Sequence, residues 1–286
     1  METDFRSFAR HSLLVVVVIF GIVAVQLPLL RWLVRVYDPL PTLVTEEQLE
    51  PLRLTGCPWL ERPYNLSGCE QIGEGWSKLA YACGNQVVKI PNEDGVAMRE
   101  CLSQHANRAD VHQHCLAHVA CAFRRDVSTQ IELRGDPNVA RCLGHHLPST
   151  SSSISSHQVV QPFGRPIDTV VLVRLSFFDR VRLTSEIVQM VTRMDGMHLG
   201  DLRRQQFVIV NSTAQLVDFG DVRRSKDRDA SSRYHASRLH SEFIHEFFRI
   251  GASPSVQILI EGIDARASSG QLTMENLRRF FQAIQE

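Results

Sequence analysis

Residues Leu13–Leu30 read LLVVVVIFGIVAVQLPLL, a run with no charged side chain and one amide, Gln26. At about 1.5 Å per residue such a helix spans roughly 27 Å, close to the hydrocarbon core of a bilayer. A buried helix of a water-soluble protein is rarely apolar on every side over this length. A cleaved signal peptide ends in a small-x-small site, and Gln26-Leu27-Pro28-Leu29-Leu30-Arg31 offers none. The run therefore predicts an uncleaved signal anchor. Arg6 and Arg10 before it balance Arg31 and Arg35 after it, so flanking charge does not set its orientation.

Features beyond the run indicate the side. Asn65-Leu66-Ser67 and Asn211-Ser212-Thr213 are both N-glycosylation sequons. Seven cysteines also lie there: Cys57, Cys69, Cys83, Cys101, Cys115, Cys121 and Cys142. None forms a Cys-x-x-Cys pair, which argues against a zinc ribbon or a thioredoxin-type site. In an oxidising compartment several would pair, and the odd count leaves at least one over. Sequons and cysteines together predict a type II membrane protein of the ER or Golgi with a lumenal body. Lys+Arg and Asp+Glu stand at 31 each. A neutral chain lacks the basic face that nucleic acid demands, so no nucleic-acid partner is expected.

The expected organisation is a tail over 1–12, the anchor over 13–30, a proline-rich stalk over 31–67, and one domain over 68–286. Residues 68–91 read as strands joined by a glycine turn, and 94–134 as helical. Pro148 to Ser156 is nearly all serine and suits a flexible loop. His157 to Gln161 reads as a strand and 167–197 as helices. Phe207 to Phe219 reads as two strands around the Asn211-Ser212-Thr213 turn, and the end is helical again. A strand-rich half (68–164) before a helix-rich half (165–286) predicts an α+β domain of two lobes.

Four elements carry chemistry. Gly73 and Gly75, in Ile72-Gly73-Glu74-Gly75-Trp76, would let backbone N–H groups approach phosphates. Lys89, inside the apolar Gln86-Val87-Val88-Lys89-Ile90, follows one hairpin later, where its ammonium could reach the same phosphates. Asp201, in Leu199-Gly200-Asp201-Leu202, and Asp218, in Val217-Asp218-Phe219-Gly220, flank a hairpin that returns the chain to its start. One carboxylate can deprotonate a hydroxyl while the other holds magnesium.

This order resembles the protein-kinase signature of glycine loop, strand lysine, catalytic aspartate and Asp-Phe-Gly. Asp218-Phe219-Gly220 matches in full. Leu199-Gly200-Asp201 stands where His-Arg-Asp is usual, Lys78 replaces the third glycine, and Gln206 replaces the metal-binding asparagine. The chain is most similar in motif to the secretory-pathway kinases around the vertebrate lonesome kinase, an extracellular tyrosine-protein kinase. Ser77-Lys78-Leu79-Ala80-Tyr81, Asp136-Pro137-Asn138-Val139 and Gln205-Gln206-Phe207-Val208-Ile209-Val210 carry that resemblance, over about residues 68–286. It implies a kinase-like fold with a short C-lobe, since no Ala-Pro-Glu follows Asp218. It also implies ATP with Mg2+ or Mn2+, and transfer of the γ-phosphoryl group to tyrosine, or serine or threonine, of secreted or lumenal proteins. Asp201 is then the catalytic residue, Asp218 and Gln206 the metal ligands, and Lys89 the phosphate lysine. Asp126 is the nearest helix acid to pair with Lys89. In Val159-Val160-Gln161-Pro162-Phe163-Gly164, which resembles a kinase hinge, Pro162 has no N–H, so Phe163 or Gly164 would donate to adenine. Two other functions fit the same residues: a pseudokinase that scaffolds another lumenal enzyme, and a glycan or small-molecule kinase, which Gly200-Asp201-Leu202 suggests.

Overall fold

Three strands follow one another with almost no connecting chain: β1 (Glu70–Glu74), β2 (Lys78–Cys83) and β3 (Gln86–Pro91). Gly84 and Asn85 alone join β2 to β3, and Gly84 has φ +65°, which glycine reaches at no steric cost. With β4 (Gly144–His146) and β5 (Gln158–Pro162) these strands form an antiparallel sheet in the order β1-β2-β3-β5-β4. The computed structural model describes residues 56–148 and 154–285. The predicted anchor at 13–30, most of the stalk and the serine stretch at 149–153 lie outside them. Among the described residues no helix is long and apolar enough to cross a membrane.

The expected helical stretch 94–134 divides into α1 (Val96–Gln104) and α2 (Val111–Glu132). In α2, Cys115, Val119, Phe123, Val127 and Ile131 recur every four residues and are all buried. Phe123, Val127 and Ile131 of that stripe pack with Val159 of β5, and Cys115 and Val119 with α1, which together fix which way Asp126, also buried, must point. Cys101–Cys115 staples α1 to α2, Cys69–Cys83 joins the start of β1 to the end of β2, and Cys57–Cys142 ties residue 57 to the chain before β4. Cys121 is the one free cysteine among the described residues.

Residues 57–66, expected in the stalk, pack on the sheet instead. Leu60 N–H donates to the His145 carbonyl at 2.8 Å, and His145 N–H to that of Pro58 at 2.9 Å. The ordered body thus begins before residue 68, because a disulfide and a short parallel bridge at Trp59 hold this segment in place.

The second half opens on the two-residue strand β6 (Arg165–Pro166) and is built on α3 (Thr169–Arg174) and α4 (Phe177–Arg193), each helix opened by a side-chain cap, Asp168 and Ser176. Next come β7 (Met197–Leu199), β8 (Phe207–Val210), β9 (Thr213–Leu216) and β10 (Val222–Arg224). Then follow α5 (Arg228–Leu239), a π-turn over His240–Ile244, α6 (Pro254–Ser268) and α7 (Met274–Gln285). The large core of this half gathers Leu183, Ile187 and Met190 of α4 with Phe207, Phe219, Phe243, Phe248 and Leu277. The two halves are sewn together by the Asp136-Pro137-Asn138-Val139 segment. Leu216 N–H donates to the Asn138 carbonyl, Ala140 N–H to that of Leu216, and the Asn138 amide to that of Ala214. Asp136 also takes both hydrogen bonds of the Arg193 fork, at 2.7 and 2.8 Å.

Candidate active site

Leu199 of β7 pairs with Val222 of β10. The chain leaving β7 and the chain entering β10 therefore emerge from the same end of a two-stranded ladder. Gly200 and Asp221 lie side by side there, with Gly200 N–H on the Asp221 carbonyl at 2.9 Å. A Cβ on residue 200 would fall within 1.9 Å of the Asp221 carboxylate, so any other residue there would have to displace that side chain. Further on, β8 and β9 pair from Phe207↔Leu216 to Val210↔Thr213, and Val217 N–H closes on the Gln206 carbonyl at 2.9 Å. Two ladders thus bring the Asp201 loop and Asp218-Phe219-Gly220 together, as the expected hairpin requires.

The Asp201 carboxylate receives the Arg203 fork at 2.5 and 2.6 Å and the Gln206 amide nitrogen at 2.5 Å. With its nitrogen turned to Asp201, the Gln206 amide presents its oxygen at the other end, the ligand type a hard cation takes. The loop itself is anchored from α5. Leu199 N–H donates to His235 Nε2 at 2.9 Å, and the Tyr234 hydroxyl donates to the Gly200 carbonyl. Burial, with His198 nearby, pushes the His235 imidazole down to about 4, the neutral form an acceptor needs.

The charge arrangement departs from expectation at the lysines. Ala80 of β2 is paired with Lys89 of β3. Side chains alternate along a strand, so Lys78, two residues earlier, projects from the same face as Lys89. Lys78 Nζ lies 2.5 Å from Asp218 Oδ1 and 3.0 Å from Asp126 Oδ2. Lys89 Nζ instead donates to the main-chain carbonyl of Val217, which the Gln161 amide also approaches at 3.4 Å. The expected partnership of Lys89 with a helix acid is therefore corrected. Asp126 is the helix acid, and its lysine is Lys78. Nothing in the residue types gave this away; the β2–β3 register was the missing signal.

Burial acts against every charge here. It raises Asp126, which Lys78 only partly offsets. It acts the same way on Asp218, but Lys78 and Lys89 overcome it and hold that carboxyl well below the usual range. Burial disfavours the Lys78 ammonium, yet Asp126 and Asp218 more than restore it and raise its pKa. Lys89 is lowered, by burial first. Asp126 also accepts Phe219 N–H at 2.6 Å, and Asp218 accepts Gly220 N–H at 3.0 Å. Helix α2, strand β2 and Asp218-Phe219-Gly220 are thereby locked as one unit.

Gly73 and Gly75 have ordinary φ, and a Cβ on either would meet nothing closer than 3.5 Å. The loop's own packing does not require glycine at either position. Phe163 N–H is bonded to the Asn85 carbonyl at 2.9 Å. Phe163 thus lacks the donor expected for adenine. Gly164 is wedged on Val208 and Val210, where a Cβ would fall within 2.6–2.8 Å of their side chains.

Compared with known proteins, the chain resembles the extracellular tyrosine-protein kinase PKDCC of Homo sapiens. Identity is 24% over 170 residues, covering 56% of this chain and 33% of the relative. The chain thus matches about a third of that protein's length. Among solved structures it is similar to WbdD in co-crystals with the kinase inhibitor LY294002, with TM-score 0.45 and 14% identity. That likeness covers 73% of this chain and 44% of the other. No protein-family model matches. The mixed α+β fold and the link to kinases expected from the motifs are both found.

Proposed function

We propose that the chain is a protein kinase of the secretory pathway, with the shortened C-lobe that the missing Ala-Pro-Glu implies. It transfers the γ-phosphoryl group of ATP to tyrosine, serine or threonine of secreted or lumenal proteins. The observation that carries this is the Lys78 bridge between Asp126 of α2 and Asp218 of Asp-Phe-Gly. A buried cation shared by a helix acid and the Asp-Phe-Gly aspartate is costly unless it holds a working geometry. Asp201 stands one ladder away, where it can orient a hydroxyl and take its proton. Asp218 and the Gln206 oxygen are hard-cation ligands, and a bound Mg2+ or Mn2+ would neutralise phosphate charge there. Gly73 and Gly75 offer backbone to the phosphates, and Gly164 lies at the strand exit where adenine is held. The three disulfides suit an oxidising lumen, and exposed Asn65 and Asn211 suit glycosylation there.

The experiment is incubation of the full chain with labelled ATP against denatured secreted proteins and free glycans, with Asp218→Ala as control. Label on protein, absent from the control, supports the reading. Label on glycans alone would move the acceptor to carbohydrate. One observation favours a second reading. The Arg203 fork occupies the Asp201 carboxylate, and a pseudokinase scaffold would keep that pair closed. Nucleotide binding without transfer to any acceptor would favour the scaffold.

A further inference from the structure

We propose that Lys78, at the first position of β2, is the lysine that holds the nucleotide phosphates, and that Lys89 positions the Asp218 backbone instead. The proposal rests on the kinase reading and assigns the division of labour within that site.

Two observations separate the lysines. The first is attachment. Lys78 is part of the glycine turn, because Gly75 N–H donates to its carbonyl at 2.8 Å. The same turn is pinned to the start of α1 through Ala97 N–H on the Trp76 carbonyl, at 2.9 Å. A cation on this segment sits directly where the glycines offer backbone to phosphate. Lys89 belongs to the sheet interior, with β2 on one side and β5 on the other.

The second is the partner each already has. Lys78 holds two carboxylates, Asp126 and Asp218. Its ammonium can exchange one anionic oxygen for another, and a phosphate oxygen is a partner of the same kind. Lys89 is spent on the neutral carbonyl of Val217, the residue before Asp218. Among the described residues Lys89 makes no ion pair. Leaving that carbonyl would strand a buried acceptor and free the peptide that carries the metal ligand.

The test compares affinities of the full chain for ATP and for adenosine, each with Mg2+ and with Mg2+ chelated, by thermal shift or calorimetry. Adenosine lacks the phosphates, so the ratio of the two isolates phosphate contacts from general damage to the cleft. In the wild type ATP should bind more tightly than adenosine. Lys78→Met should shrink that preference about tenfold or more, the size of a charge-assisted contact. Lys89→Met should lower the melting temperature and, with Mg2+ chelated so that the Asp218 metal site does not contribute, leave the preference within about twofold. Because Lys78→Met strands two buried carboxylates, Lys78→Met with Asp126→Asn serves where the single variant fails to fold. It removes one charge of each sign and keeps the acceptor for Phe219. A metal-free preference that collapses in Lys89→Met, or one that persists in a folded Lys78→Met chain, overturns the assignment. A wild type that shows no preference for ATP contradicts the kinase reading itself, a different result from either.

Discussion

At the scale of single residues the site is a set of buried charges that compensate one another. Asp201 and Asp218 are each exposed over about a third of their side chains, whereas Asp126 is buried. Asp218 is held by Lys78, so on the proposed reading Asp201 is the group that meets an acceptor hydroxyl. Asp201→Asn keeps the shape and removes the charge. It should leave nucleotide affinity unchanged and lower turnover by about 10²–10⁴-fold, the usual worth of a general base. Single-turnover kinetics beside a binding titration separate the two, and equal turnover in a folded variant would remove Asp201 from the chemistry. His235 sets a second expectation. Its neutral imidazole accepts Leu199 N–H, with His198 and Tyr234 as its ring neighbours. The folded value is about 4, against 6.5 for a free imidazole. The unfolded chain therefore binds the proton first as pH falls. The stability contributed by neutral His235 is complete above about pH 6.5 and is lost on the way down to about pH 4. The slope is at most about 1.4 kcal/mol per pH unit. His235→Gln can accept without titrating, so its melting temperature should vary less between pH 7 and 4.5. An identical slope in both proteins would mean that other groups govern the acid limb.

At the scale of elements, what was legible in the sequence was what repeats. Alternation gave β8 and β9, and the turn between them is where expected, with Asn211 and Ser212 at φ 49° and 65°. Four-residue spacing gave α2 and α4 in outline. Apolar periodicity does not reveal how one strand is offset against the next. Lys78 therefore read as a lost glycine, although β2–β3 pairing puts it on the cleft face. Helix register against the sheet is equally hidden, so only the packing shows that Asp126 is buried in the cleft while Glu132, further along the same helix, is exposed. Residues 57–66 read as stalk because their prolines mark irregular chain, and irregular chain held by Cys57–Cys142 looks the same in sequence. The β8–β9 turn carries its own expectation. Serine in the left-handed region costs about 1–2 kcal/mol, and glycine does not. Ser212→Gly should raise stability by up to about 1 kcal/mol in urea unfolding, less the added freedom of the unfolded chain. It also keeps the Asn-x-Thr sequon. A loss of stability would mean that the Ser212 side chain holds the turn, rather than its backbone alone, whose carbonyl receives Arg182 at 2.6 Å.

At the scale of the whole molecule, compartment and chemistry are separate claims with separate tests. A lumenal body predicts glycans on Asn65 and Asn211, both exposed. Endoglycosidase should raise the gel mobility of protein made in secreting cells, and Asn65→Gln with Asn211→Gln should abolish the change. An unaltered mobility, with residues 50–286 open to protease in intact microsomes, would put the body in the cytosol. The chemical claim depends on which phosphorus is transferred. On the proposed reading Asp218 and the glycine turn act on the phosphate chain and Asp201 on the acceptor, and the group passed on is the terminal one. The most direct measurement gives the full chain acceptor proteins with ATP labelled in parallel at the γ or the α position. The account predicts protein-bound label from γ-labelled ATP alone, lost in Asp218→Ala. Label from the α position, or none from a folded chain that binds ATP, would contradict it.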